Sequence, residues 1–303
     1  MTKSHETIET KNFIEKFDNF YNENYKLLLI IPIIILFFSL FYLGYSYYTT
    51  GEFIKKDISL TGGTSITING EIPDTFENNL KAEFPDVSIR RLTDLRTGKV
   101  VSFIIETSIK PEEIKPVIEK LLEYKLNEVN SNIEFTGSTL SQNFYKQLII
   151  ALIISFFLMS IVVFFLFRSF IPSIAVIFAA FSDIIMALAL VNFFGLKISA
   201  AGIAAFLMLV GYSVDTDILL TSRALKRREI SLNKRIFGAF KTGILMTATA
   251  LISVTPIFFM TTGIPDSFRQ IFIILAIGLL ADILNTWLTN ASLIKWYCNN
   301  KGI

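Results

Sequence analysis

Six stretches of this chain are each long and apolar enough to cross a lipid bilayer, which removes most folds otherwise open to 303 residues. A spanning helix needs about 20 mostly apolar residues, because the hydrocarbon core is about 30 Å thick and a helix rises 1.5 Å per residue. The stretches run from Lys26 to Tyr48, Tyr145 to Phe167, Phe170 to Phe193, Ile198 to Thr221, Phe240 to Met260, and Phe268 to Leu293. Hydrophobic residues make up 52% of the chain and charged residues 18%, a balance that suits a bundle in lipid rather than a water-soluble core. The first run is longer than a signal-peptide core and no small-residue cleavage site follows it, so it is expected to remain in the mature protein.

The expected organisation is a cytoplasmic N-terminal segment (1–25), a first span (26–48), a separate domain (49–144), a bundle of five spans (145–293) and a tail (294–303). Orientation follows from the short loops, since cytoplasmic loops carry an excess of Lys and Arg. The loop at 222–239 holds Arg223, Lys226, Arg227, Arg228, Lys234 and Arg235 against Glu229, and Lys295 and Lys301 follow the sixth span. Both termini are therefore expected in the cytoplasm and the domain outside the cell membrane. A lipid-headgroup or nucleic-acid patch is the alternative use of the basic loop, but topology alone explains it. A net charge of +2 gives no case for nucleic acid as a partner. One cysteine, Cys298, and one histidine, His5, exclude an intrachain disulfide, a cysteine zinc cluster and a His-rich metal site.

Within the domain, Ile58 to Ile68 and Val87 to Leu92 have strand character, as does Val100 to Thr107 after a turn at Arg96-Thr97-Gly98. Asp74 to Phe84 and Pro111 to Leu126 have helical apolar spacing, the second opened by Ser108 or by the Lys110-Pro111 step, and Ile133 to Phe135 closes the series. That order, βαββαβ, predicts an α+β ferredoxin-like domain whose helices cover one sheet face. The other face is left for a partner or for solvent.

Ionisable residues inside spans are costly, and each is a functional candidate. Asp183 lies mid-way along the third span, Asp215 and Asp217 in the inner third of the fourth, and Asp282 in the middle of the sixth. Two residues on a helix are about 200° apart, so Asp215 and Asp217 cannot serve one site equally. A carboxyl cut off from water favours its neutral form and can exchange protons if water reaches it. Alternatively, these acids pair with Lys241, with Arg223, or with Ser182, Asn192, Thr216 and Asn285, and act as packing glue. Small residues such as Gly202, Gly238 and Gly243 permit close helix approach. Gly62-Gly63 lacks the Lys and spacing of a phosphate loop, and no nucleotide or other cofactor is expected.

These residues carry a family resemblance. Asp57-Ile-Ser-Leu-Thr-Gly62-Gly63-Thr after the first span resembles the Asp-Phe-x-Gly-Gly signature of the SecD and SecF family of protein-export membrane proteins. Gly211-Tyr212-Ser213-Val-Asp215-Thr-Asp217, running on to Arg223, resembles the fourth span of the archaeal SecF branch, and Asp183, Lys241-Thr242-Gly243 and Asp282 to Asn290 also fit. The likeness covers about residue 25 to the end. It implies half of an RND-type architecture, paired with SecD, associated with a SecY-type translocon and lipid, and acting on a translocating polypeptide with the proton gradient. It implies no enzyme chemistry.

Bacterial forms carry Asn-Asp-Thr where this chain has Asp215-Thr216-Asp217, and Arg near Lys241, which Lys matches in charge but not in geometry. The expected mechanism has Asp183 and the fourth-span acids, with Lys241 as counter-charge, change protonation as helices shift and swing the domain. A small-molecule or lipid exporter and a purely structural assembly subunit are the rivals; a domain this short argues against the exporter.

Overall fold

The computed structural model describes residues 21, 23–70, 72–73, 75–93, 99–226, 230–258 and 266–302. His5, the Arg96-Thr97-Gly98 turn, Arg227, Arg228 and Glu229 lie outside the described residues. Among those described, six helices are long and apolar enough to cross a membrane: Glu23–Thr50, Leu140–Phe167, Phe170–Phe193, Ala200–Lys226, Leu232–Ile257 and Phe268–Lys301. A small domain stands between the first two.

The first span contains α1 (Ile30–Thr50), which ends at Gly51 with φ +73 and the Gly51 N–H bound to the Tyr47 carbonyl. The segment expected as one strand from Ile58 to Ile68 is divided. The Asp57 carboxylate accepts from the Ile58 N–H and opens a one-turn helix, α2 (Ile58–Thr61), after which β1 (Gly63–Asn69) begins. Gly62 and Gly63 make the break possible. Gly62 has φ +88, and a Cβ there would sit 2.3 Å from the Ser138 Cα at the start of the second span. Gly63 has φ +134, and its Cβ would sit 2.3 Å from the Thr107 carbonyl oxygen. Three backbones meet where only glycine fits.

Beyond β1 come α3 (Phe76–Glu83), β2 (Ser88–Thr93), β3 (Val100–Thr107), α4 (Pro111–Leu122) and β4 (Ser131–Thr136). The sheet order is β2-β3-β1-β4 with every neighbour antiparallel, which is the split βαβ arrangement. Lys110 is extended and Pro111 occupies the first helical turn of α4, where a missing N–H does no harm. That helix stops at Leu122, not Leu126, because Glu123 turns left-handed at φ +62; Leu126 still packs, its N–H held by the Glu119 carboxylate at 2.9 Å. Ile66, Ile68 and Ile105 from the strands meet Phe76, Leu80, Ile114 and Ile118 from α3 and α4 in one core.

Side chains alternate across a strand, so Glu106 points away from that core. It is 3% exposed, and its carboxylate accepts from Arg90 Nη2 at 2.5 Å and from the Lys197 ammonium, in the connection between the third and fourth spans. The second sheet face, left open by sequence, thus rests at this point on the chain's own bundle. Burial alone pushes the Glu106 pKa up, but Arg90 and Lys197 outweigh it and hold the carboxyl below its ordinary range.

The bundle consists of α5 (Ser138–Phe167), α6 (Phe170–Phe193), α7 (Ala200–Lys226) and α8 (Leu232–Val254), followed by a sixth span in three parts. These are α9 (Asp266–Leu284), a π-helical segment at Asn285–Asn290 and α10 (Ala291–Lys301). The second-span helix starts at Ser138, not Tyr145, because only Gly137 separates it from β4 and the Ser141 N–H closes the first turn on the Gly137 carbonyl at 3.0 Å. The root of the domain is stitched to the bundle. Ile198 donates its N–H to the Lys55 carbonyl at 2.7 Å and accepts from the Asp57 N–H at 3.0 Å. Ala200 N–H reaches Ser59 Oγ at 3.1 Å, while the Gln270 amide of the sixth span accepts from Ser199 N–H at 2.9 Å and donates to Asp57 Oδ2 at 3.4 Å.

Gly62→Ala combines left-handed strain with overpacking and is expected to destabilise the chain by about 2–5 kcal/mol. Gly137→Ala, with nothing within 4 Å of its Cβ, serves as the control in thermal unfolding in detergent. Glu106 supplies a pH signature: its depressed folded pKa adds stability above the ordinary carboxylate range of about 4, lost as pH falls through the folded value. Glu106→Gln is expected to flatten that acid limb of a stability-versus-pH curve.

Candidate functional site

The third, fourth and sixth spans are the buried helices of the bundle, and their inward faces are polar. Asp183, Ser213, Asp217, Asp282, Asn285, Thr286 and Asn290 are each no more than 1% exposed. Spacing explains the convergence. Ser213, Asp217 and Thr221 stand four apart on the fourth span, and Asp282, Thr286 and Asn290 four apart on the sixth, so each set forms one stripe in an α-helix. Asn285 lies outside that stripe. The widened turns of Asn285–Asn290 let it face the third span while Thr286 and Asn290 face the fourth.

The bonds are specific. Asp183 accepts from the Ser213 hydroxyl at one carboxyl oxygen and from Asn285 Nδ2 at 2.7 Å at the other. Asp217 Oδ1 accepts from Asn290 Nδ2 at 2.7 Å and lies 3.0 Å from Thr286 Oγ1. Asp282 Oδ1 lies 2.9 Å from that same Thr286 hydroxyl. The second oxygens of Asp217 and Asp282 are buried without a hydrogen-bond partner. On the fifth span Gly243 faces inward, and its missing side chain admits Trp287, whose ring would lie 2.4 Å from a Cβ there. Trp287 in turn packs edge-on against Phe240, ring centroids 5.1 Å apart.

Of the residues singled out by sequence, the structure brings together Asp183, Asp217, Asp282 and Ser213. Asp215 is exposed on the opposite side of the fourth span. Lys241 is not a counter-charge to the acids: it is exposed, with its ammonium 5.9 Å from the Phe237 ring centroid. Position 241 is about 200° around the helix from inward-facing Gly243, which is the physical reason. Arg223 does not pair with them either; its Nη1 donates to the Gly238 carbonyl at 2.6 Å and to Thr242 Oγ1 at 2.9 Å, stapling the fourth span to the fifth. Among the described residues no Lys or Arg forms an ion pair with Asp183, Asp217 or Asp282. Tyr212 donates its hydroxyl to the Met246 carbonyl at 2.9 Å, and Gly211 has open space about it. Asp57, Gly62 and Gly63 form the domain root, far from the acids in the chain but joined to the same sixth span through Gln270.

Thr286 and Asn290 were not among the donors that sequence reasoning identified; their spacing of four from Asp282 was the available signal. Three carboxyls without a counter-cation in a low-dielectric interior are costly to charge, and hydroxyl and amide donors are what remains to stabilise them. Among the described residues no group of three or more His, Cys, Asp or Glu is placed to hold a metal. Asn290→Ala removes a buried donor and is expected to destabilise the chain by about 1–3 kcal/mol. Lys241→Ala is expected within about 0.5 kcal/mol of the parent in the same thermal unfolding measurement.

A family model described as protein export membrane protein SecD/SecF, C-terminal, matches residues 117–300. The protein-export membrane protein SecF of Methanolacinia petrolearia is 35% identical over 279 residues, covering 91% of this chain and 95% of that protein. The SecF of Pyrococcus furiosus is 35% identical over 292 residues, covering 92% and 96%. Among solved structures, SecDF, a translocon-associated membrane protein from Thermus thermophilus, superposes with a TM-score of 0.71 at 16% identity. That match covers 91% of this chain but 38% of the SecDF chain, and shows a shared fold.

Proposed function

The chain belongs to the SecF branch of the SecD/SecF family of protein-export membrane proteins, and from that premise we propose that it is an accessory subunit that acts with a SecD-type partner and couples export to the proton gradient. The observation that carries the coupling is the set of three fully buried carboxyls on the third, fourth and sixth spans, held by hydroxyls and amides instead of cations. A change in their protonation changes how these helices pack. Two of the three helices reach the domain root at their other ends, the fourth through Ile198 to Ala200 and the sixth through Gln270. Asp282 and Gln270 are about 18 Å apart along the helix at 1.5 Å per residue. A shift at the acids therefore moves the seat of the domain, and the domain bears on a polypeptide emerging from a SecY-type channel. The two states must differ in proton affinity, or a gradient could not drive the change.

The partner has a face to occupy. Met208, Gly211 and Asp215 on the fourth span and Lys241, Leu245 and Ile252 on the fifth are exposed on this subunit. A charge facing lipid is costly, so Asp215 and Lys241 favour cover by a second bundle over contact with acyl chains. The excess of Lys and Arg between those spans supports a cytoplasmic position for that end and an outer position for the domain.

Asp183→Asn combined with Asp217→Asn is expected to abolish the rise in export that an imposed proton gradient produces in membrane vesicles. An undiminished rise would remove proton coupling from the function. Mild-detergent extraction by a C-terminal tag is expected to recover a SecD-type chain; a homo-oligomer alone would overturn the partner assignment.

A further inference from the structure

The hydroxyl of Thr286 lies 3.0 Å from Asp217 Oδ1 and 2.9 Å from Asp282 Oδ1, yet a hydroxyl has one proton to give. With both carboxyls ionised, one of these contacts sets an oxygen lone pair against a carboxylate, inside a bundle where neither acid has a paired cation. With one carboxyl protonated, the chain closes: that acid donates to Thr286 Oγ1, and Thr286 donates to the other acid. Asp183 differs in having a bonded neighbour at each oxygen, Ser213 at one and the Asn285 amide at the other, although the Ser213 hydroxyl also neighbours Asp282.

We infer that Asp217 and Asp282 hold a shared proton across Thr286, and that this pair between the fourth and sixth spans, not a fourth-span acid with Lys241, is the proton-exchange unit. The second half of the inference rests on the coupled export proposed above. The exchange step is a simple proton transfer. The O–H bond of the protonated carboxyl breaks, its proton passes to a water molecule, and the electron pair stays on the carboxylate. Thr286 is then left with two charged acids to serve and satisfies one. The unsatisfied repulsion separates the fourth and sixth spans until a hydronium ion restores the proton.

The other groups around the pair leave it this role. Asp183 faces it from the third span and is bonded to Ser213 of the fourth. Tyr212 lies near Asp282, but its hydroxyl is donated to the Met246 carbonyl. The fifth span presents Gly243 and Thr247 inward, the Thr247 hydroxyl neighbouring Asp282, while Lys241 is exposed and the Arg223 guanidinium is bound to Gly238 and Thr242. The first span contributes Ser39 and Ser46 to the buried polar groups of the bundle and the second contributes Ser141, all uncharged.

Infrared absorption of the full chain, reconstituted in lipid at neutral pH, tests the shared proton without reference to export. The expected spectrum has a protonated-carboxyl C=O band that shifts in deuterium oxide, changes in Asp217→Asn and in Asp282→Asn, and persists in Asp183→Asn. Thr286→Val is expected to shift that band, and Thr286→Ser to keep it. Absence of the band from the parent chain, or its survival unchanged in both the Asp217 and the Asp282 variants, overturns the inference whether or not every variant folds well. Export under a gradient is then compared for the two Thr286 variants. Stimulation kept by Ser and lost by Val supports the exchange role; stimulation intact in both, with the band assigned to the pair, leaves the shared proton standing and overturns its part in coupling.

Discussion

A polar side chain that leaves water for the interior of a membrane protein must find its partner within the protein, and the bundle is organised around that requirement. Asp183, Asp217 and Asp282 come from three helices, and donors for all three come from the sixth span, through Asn285, Thr286 and Asn290. A regular α-helix would aim Asn285 and Asn290 about 140° apart, at 100° per residue, with no freedom to adjust. The π-helical segment relaxes that geometry at the one place where three acids need serving. Such segments occur in helices mainly as single widened turns, often at functional sites. Trp287 falls inside it and takes the space that Gly243 leaves, so the widening is packed as well as bonded.

The same requirement is met differently at the domain-side end. There, the backbone of Lys55 to Asp57 pairs with Ile198, and Gln270 bridges Asp57 and Ser199. Glu106, buried beneath the sheet, needs two cations to be tolerated and takes one from its own domain and one from the bundle. A carboxylate buried with two cations fixes orientation more than it adds stability. Polar groups thus tie the fourth and sixth spans together at two levels, at the domain root and again at the buried acids.

Much of this was legible in the sequence because hydrophobic run length and strand alternation are strong signals. Six spans and the βαββαβ order follow from them. What escaped has physical causes. The Ile- and Thr-rich stretch from Ile58 reads as strand, and the one-turn helix within it depends on an Asp57 cap and on glycines jammed against Ser138 and Thr107, contacts remote in sequence. Lys241 reads as a counter-charge because it lies in a span, but charge alone carries no direction around a helix, and Gly243 holds the inward position. Thr286 and Asn290 are tolerated in any membrane helix and attract little notice beside an aspartate. Arg223 and Arg235 read as markers of topology, yet both also bind carbonyls across the turn between the fourth and fifth spans, of Gly238 and Ala224.

Gly137 is the whole connection between the last strand of the domain and the helix of the second span. β4 is hydrogen-bonded to β1, so the chain enters and leaves the domain side by side. There is no slack in such a joint. Mechanically, domain and second span are two arms of one bent lever, pivoted where Lys55 to Ser59 meet the fourth span. The helical arm is also the span least enclosed by the rest of the chain. Torque applied to the domain is delivered to the helix with the greatest room to tilt.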